Sequence, residues 1–243
     1  DSVGVTVDPA GLNRFAVTVP SPQETGVVFT AGAQVVAQDA YGNTVTGFDA
    51  SANNVTITAS NGGSMTNNVL DLAGDFVAGV ADLAGTGKST SYDGSASATG
   101  ITFTAASAGP VVNGTSGLVV IDPGTASDYV ITNAAAITAG NPHTAGVGFD
   151  VSIEVRDGNN NLVTDYSAAA TLSDSDGTAN LTITPSSINI VGGVWSGVVA
   201  ITEASPVTLE VAGGGLTVDS VGVTVDPAGL NRFAVTVPSP QET

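Results

Sequence analysis

The chain has 243 residues, 22 acidic against 4 basic side chains for a net charge of −18, and no cysteine. Four scattered cations cannot neutralise a phosphate backbone or hold an anionic lipid surface, so nucleic acid is excluded as a partner; without cysteine there is no disulfide, zinc–thiolate site or thiol nucleophile. With 42% hydrophobic but only 5% aromatic residues, 31 Gly and 11 Pro, the composition is that of short β-branched strands joined by tight turns. It has no apolar run long enough for membrane insertion in this segment.

Along the chain, Val3, Val5 and Val7 alternate with Gly4 and Thr6, a half-buried strand. Asp8-Pro9 ends it, because proline donates no ladder hydrogen bond and restricts the residue before it. Phe15, Val17 and Val19 alternate again until Pro20 and Pro22. The same order returns at Val119, Ile121, Asp122-Pro123, Tyr129 and Ile131, and again at Asp226-Pro227. Asp1–Thr25 recurs letter for letter as Asp219–Thr243, the exposed-looking PSPQET included. Identity at surface positions points to a tandem array. The predicted organisation is therefore a terminal strand of a preceding module over 1–8, module 1 over 9–122 and module 2 over 123–226. Residues 227–243 are then the first strand of a following module.

Both modules carry the same internal order. Alternating strands at Ala33/Val35/Ala37 and Val151/Ile153/Val155 lead into AQDAYGNTVTGFD (37–49) and VRDGNNNLVTDYS (155–167). Then come Val55/Ile57 and Ala170/Leu172, a turn-rich stretch, Asp75–Val80 and Val194–Val199. Ile101–Phe103 with Leu118–Ile121, and Val207–Leu209 with Val221–Val225, close each module. About seven short strands spaced by Gly, Asn, Asp and Pro predict an all-β chain of tandem immunoglobulin-like β-sandwiches with Greek-key connections and little helix.

The stretch Asp-Ala-Tyr-Gly-Asn-Thr-Val at 39–45, between an alternating strand and Thr-Gly-Phe, resembles the bacterial immunoglobulin-like repeats of large cell-surface adhesins and extracellular filament proteins. The second module keeps its Asp, Asn, Val-Thr and aromatic as DGNNNLVTDY. The resemblance covers both modules and implies a tandem extracellular stalk, often rigidified by calcium. It implies no catalytic residue.

Sites of chemistry are few. Lys88 in DLAGTGKST mimics a phosphate loop, but the glycine that motif requires is Asp82 and no helix pattern follows. His143 is the only histidine, no Gly-x-Ser-x-Gly elbow occurs, and neither module offers a long loop for a cleft, so no enzyme is expected. Trp195 sits at a strand position and reads as core. Calcium is the one cofactor the pattern raises. Asp157, Asn159, Asn161 and Asp165 fall at positions 1, 3, 5 and 9 of a compact loop, without its closing glutamate or central glycine. The competing reading is a plain hairpin turn. The junction aspartates Asp8, Asp122 and Asp226, with Asp39, Asp49 or Asp128, form a second candidate set, where an ion would stiffen the linker.

These expectations converge on a structural segment of an extracellular stalk, adhesin or fibre at the cell surface, its partners being neighbouring repeat modules. Two alternatives stand beside it. In one, identical chains join head to tail by strand exchange of their terminal strands. In the other, the chain is a carbohydrate-binding module, for which Tyr41, Tyr92 and Tyr166 are the candidate contacts. Sequons at Asn54, Asn113 and Asn180 occur at about the frequency that chance supplies.

Overall fold

Over residues 14–18, 34–38 and 206–212 burial alternates residue by residue, which is what a sheet with one covered face requires. The structure is a computed structural model and describes residues 8–85, 88–109, 112–177 and 181–230. The strand expected at Val3–Val7, most of the strand expected within 227–243 and the Asn180 sequon lie outside these residues. By compactness the chain divides into unit 1, Asp1–Ala126 with Arg156–Val163, and unit 2, Ser127–Val155 with Thr164–Thr243.

Unit 1 contains β1 (Arg14–Thr18), β2 (Gln23–Glu24), β3 (Gln34–Gln38), β4 (Val55–Ala59), β5 (Ser64–Thr66) and β6 (Val69–Leu70). These are followed by β7 (Val80–Asp82), β8 (Ser91–Asp93), β9 (Ser97–Ile101), β10 (Phe103–Ser107), β11 (Asn113–Thr115) and β12 (Val119–Asp122). They form sheets ordered β1-β3-β7, β11-β10-β4-β6 and β2-β12-β9, with a small β5-β8 pair. β1 lies antiparallel to β3 from Arg14↔Gln38 to Thr18↔Gln34, whereas β2 runs parallel to β12 with Glu24 opposite Asp122. Non-consecutive neighbours such as β3-β7 and β4-β10 mean that the chain crosses from sheet to sheet, as in a Greek key. Gly114 in β11 is obligatory: a Cβ there would fall on the carbonyl oxygen of Phe15.

The core of unit 1 is aromatic at both ends. Phe103, fully buried, meets Phe29 and Tyr92 edge-on at ring distances of 5.1 and 5.9 Å; Phe48 meets Phe15 at 5.6 Å and Phe76 at 4.7 Å. Val35, Val55, Ile57, Leu70 and Ile121 fill the space between.

Unit 2 contains β13 (Ala126–Ile131) from its second residue on, α1 (Ala134–Ala139), β14 (His143–Thr144), β15 (Phe149–Asp157) except its last two residues, β16 (Ala168–Asp174) and β17 (Ile183–Thr184). It is completed by β18 (Ser187–Ile190), β19 (Val194–Ile201), β20 (Pro206–Ala212) and β21 (Asp219–Asp226). The sheet orders are β13-β15-β19-β17 and β14-β21-β20-β16-β18. The beginning of the first order repeats β1-β3-β7, and the parallel β14-β21 contact repeats β2-β12. The core is aliphatic, led by Ile153, Ile190, Ile201 and Leu209. Trp195 is only half-buried, lying over Gly197 where a Cβ would meet its ring at 2.6 Å. The chain is thus all-β and sandwich-type, as its alternation predicts.

Two local expectations fail for physical reasons. The strand expected at Asp75–Val80 begins only at Val80, because Ala78 and Gly79 take φ of 49° and 80° and fold Val77 back on Val80 as a turn. The six-residue helix α1, an alanine-rich AAAITA, carries no strand alternation and gave no sign of itself. The phosphate-loop look of Lys88 resolves into an ion pair: its Nζ lies 2.9 Å from Asp75 Oδ2 and 3.6 Å from Asp71. Burial pushes the Asp75 carboxyl up, but Lys88 and the N–H groups of Leu72 and Asp71 outweigh it and hold it below the usual range.

Phe103→Ala should lower stability by about 3–5 kcal/mol, as truncation of a fully buried aromatic does. Denaturant unfolding followed at unit 1 measures this, and a change below about 1 kcal/mol would contradict the packing described.

Candidate functional site: two carboxylate-headed hairpins

At the end of β3, Asp39-Ala-Tyr-Gly-Asn43 reverses the chain. Asn43 O accepts the Asp39 N–H at 2.9 Å and Asp39 O accepts the Gly42 N–H at 3.2 Å. Gly42 has φ of 88°. That is a type I turn followed by a left-handed residue, the geometry of a bulged hairpin, and it demands Gly or Asn at the fourth place. At the end of β15 the segment Asp157-Gly-Asn-Asn-Asn161 makes the same turn, with Asn161 O accepting the Asp157 N–H at 3.0 Å and Asn160 at φ 66°. The turn reading of this loop therefore holds.

Each turn is headed by a buried carboxylate with its oxygens occupied. Asp39 Oδ1 accepts the N–H groups of Tyr41 and Asn43 at 2.9 and 2.8 Å; Oδ2 accepts the Asn43 side-chain amide at 2.9 Å and the Ala10 N–H at 3.0 Å. Asp157 Oδ1 accepts Asn159 and Asn161 N–H, both at 2.9 Å. Its Oδ2 accepts the Asn161 amide at 3.0 Å and the Gly124 N–H at 2.7 Å. Ala10 follows Asp8-Pro9 and Gly124 follows Asp122-Pro123. In both cases the hairpin grips the backbone of the residue directly after an Asp-Pro pair.

The second hairpin makes further bonds, all within unit 1. Asn161 Oδ1 accepts the Ala96 N–H at 2.8 Å and its amide donates to Gly94 O at 3.1 Å. Asn159 donates to Thr25 Oγ1 at 3.1 Å, and that hydroxyl donates to Gly94 O at 3.0 Å. Thr25 N–H is bound to Asp122 O at 3.1 Å. A cavity of about 250 Å³ opens beside Thr25, Gly124, Asp157 and Asn159. A Cβ on Gly124 would meet Thr25 O at 2.9 Å.

The charge follows from these donors. The Asn43 amide, with the N–H groups of Ala10, Asn43 and Tyr41, holds the Asp39 carboxyl down to about 2 against the effect of its burial. For Asp157 burial pushes upward, but the Asn161 amide and the N–H groups of Asn161, Gly124 and Asn159 prevail, and its carboxyl also lies below the ordinary value.

Of the residues considered for calcium, the structure brings Asp157, Asn159 and Asn161 together, but as acceptors of N–H groups and donors to oxygens. A calcium loop needs six or more oxygens turned towards the ion, and here both Asp157 oxygens and Asn161 Oδ1 face protein donors. Asp165 is exposed, and Asp8, Asp122 and Asp226 are exposed at the junctions. Asp49 Oδ1 caps Ser51 N–H, and Asp128 accepts from the Ser127 hydroxyl. Among the described residues no three Asp, Glu or His groups converge as a metal site. The 157–161 hairpin, with these oxygens taken, does not fit the ion. Sequence reasoning passed over Ala10, Thr25, Ala96 and Gly124, whose share in the site is made by backbone groups or by reach along the chain.

No protein-family model and no curated protein sequence matches the chain. Among solved structures it is similar to the S-layer protein SbsC at 13% identity and a TM-score of 0.35, covering 92% of this chain and 29% of that one. It is also similar to SbsC domains 4 and 5 (13% identity, TM-score 0.33, 90% and 100% covered). A β-glycosidase from Bacteroides vulgatus is similar at 13% identity and a TM-score of 0.35, with 89% and 25% covered. Likeness at this level supports neither an activity nor a site.

Three outcomes are expected. Asp157→Ala leaves the buried Gly124 N–H without its acceptor and should cost about 2–3 kcal/mol, with faster hydrogen exchange at that amide. Acid should weaken unit 1 in a defined window. The folded Asp39 titrates near 2 and its ordinary value is 3.8, so its contribution is complete above about pH 4 and lost as pH falls through about 2. Asp39→Asn should flatten that part of the acid-unfolding curve. Thirdly, the melting temperature should be the same in calcium and in chelator; a rise with calcium would restore the cation reading.

Proposed function

We propose that the chain is a structural segment of an extracellular stalk, adhesin or fibre, built of immunoglobulin-like modules in tandem, and that its working part is the clamped Asp-Pro joint. The observation that carries this reading is the recurrence of one device. Asp39 takes the N–H of Ala10 and Asp157 that of Gly124, each just beyond an Asp-Pro pair. Proline fixes one backbone torsion, the carboxylate fixes the next peptide, and charge-assisted bonds of this kind are stronger than neutral ones. Any load running along the chain passes through these three residues. The acidic surface keeps neighbouring arrays apart.

The mechanical reading is tested by pulling the chain from both ends. Asp157→Ala and Asp39→Ala should each lower the force at which unit 1 yields, and force traces unchanged by both variants would count against it. The location is tested by brief proteolysis of intact source cells, which should release peptides of this chain without lysis.

One observation favours the second reading, head-to-tail strand exchange. β1 is an edge strand of β1-β3-β7 and its seat is complete within unit 1, while 226–243 repeats the letters of 8–25. Identical sequence fits the same seat. Phe15→Asp should then drive chains into oligomers through the intact second copy, and Phe15→Asp with Phe233→Asp should not. Equal, monomeric behaviour of the two would dismiss exchange.

A further inference from the structure

Tyr41 stands at the tip of the first hairpin, 86% exposed. Its counterpart at the tip of the second hairpin is Asn159, which donates to Thr25 Oγ1. Thr25 has a counterpart too. It follows β2, whose Glu24 pairs in parallel with Asp122, and its N–H binds Asp122 O. Ala145 follows β14, whose Thr144 pairs in parallel with Asp226, and its N–H binds Asp226 O at 2.8 Å. Gly26 and Gly146 come next, at φ of 76° and 77°, and then Val27 and Val147, the latter 58% exposed. The matching pairs of positions therefore hold Asn159 and Thr25 in one case and Tyr41 and Ala145 in the other.

We infer that Tyr41 is the contact residue of a joint with a second copy of this repeat, its ring seating on Ala145–Val147 at the Asp226 end of the copy that precedes it. The proposal rests on the tandem reading. The argument for that occupant is the chain's own sequence. Asp8-Pro9-Ala10, gripped by the Tyr41 hairpin, has the same letters as Asp226-Pro227-Ala228, and Asp1–Val7 has those of the first seven residues of β21. What precedes the Tyr41 hairpin in an array is thus the end that carries Ala145. The chemistry agrees. A side chain reduced to a methyl group leaves room for a ring, and Val147 adds apolar surface beside it. At the other joint a hydroxyl meets an amide.

The test uses a two-period chain, residues 1–218 followed by the full 243, beside the chain itself. In the two-period chain Tyr41→Asn should speed hydrogen exchange at the second period's Ala10 amide about fivefold or more, and Ala145→Thr should do the same. The double variant, which copies the Asn159–Thr25 joint, should return at least half of the lost protection. In the single chain all three variants should leave that amide unchanged. Indifference of the two-period chain to Tyr41→Asn, or an equal effect in the single chain, would overturn the proposal, as would glycan binding lost with Tyr41. A two-period chain without twice the single chain's β signal would instead count against the tandem reading itself, and the seat would fall with it.

Discussion

A carboxylate surrounded by N–H groups is the constraint on which the rest of unit 1's end depends. Asp157 is almost wholly buried, at 3% exposure, and a buried charge is tolerable only when hydrogen bonds replace its water. The donors come from three places: its own turn, the amide of Asn161, and the peptide after Asp122-Pro123. Removing any one exposes the others to an unmet demand, so the turn, the asparagine and the linker form one unit of stability. Asp39 repeats the arrangement around Ala10.

This constraint also explains the residue choices nearby. The fourth turn position must be left-handed, hence Gly42 and Asn160. Asparagine at the fifth is needed for an amide that can reach back to the carboxylate, and in Asn161 the same side chain turns its oxygen to Ala96. Glycine at 124 leaves room against Thr25. The two hairpins share the carboxylate and the amide but differ at the tip, where specificity can vary without loss of the fold.

Most of the strands were legible in the sequence because a half-buried sheet writes its face into alternate letters, as at Phe15/Val17 and Val151/Ile153/Val155. The pattern fails where a turn interrupts it, as at Ala78-Gly79, and where alanines carry no face, as in Ala134–Ala139. The site was legible only in part. The turn residues of 157–161 could be read, and their spacing imitated a calcium loop because oxygen-bearing side chains at alternate places suit either use. What decided between them was where the N–H groups pointed. The sequence separation of 33 between Gly124 and Asp157 hides that pairing from any local pattern. Setting Asp39 on Asp157 and Pro9 on Pro123 was a signal that both ends recur together, though not that they touch.

The polar contacts around Thr25 have a consequence for how such a protein could diversify. The hydroxyl of one threonine serves Asn159, Gly94 N–H and Gly94 O at once, so it cannot drift alone. A hydroxyl committed to three partners can change only together with them, which ties position 25 to the loop that carries Gly94 and to the tip of the second hairpin.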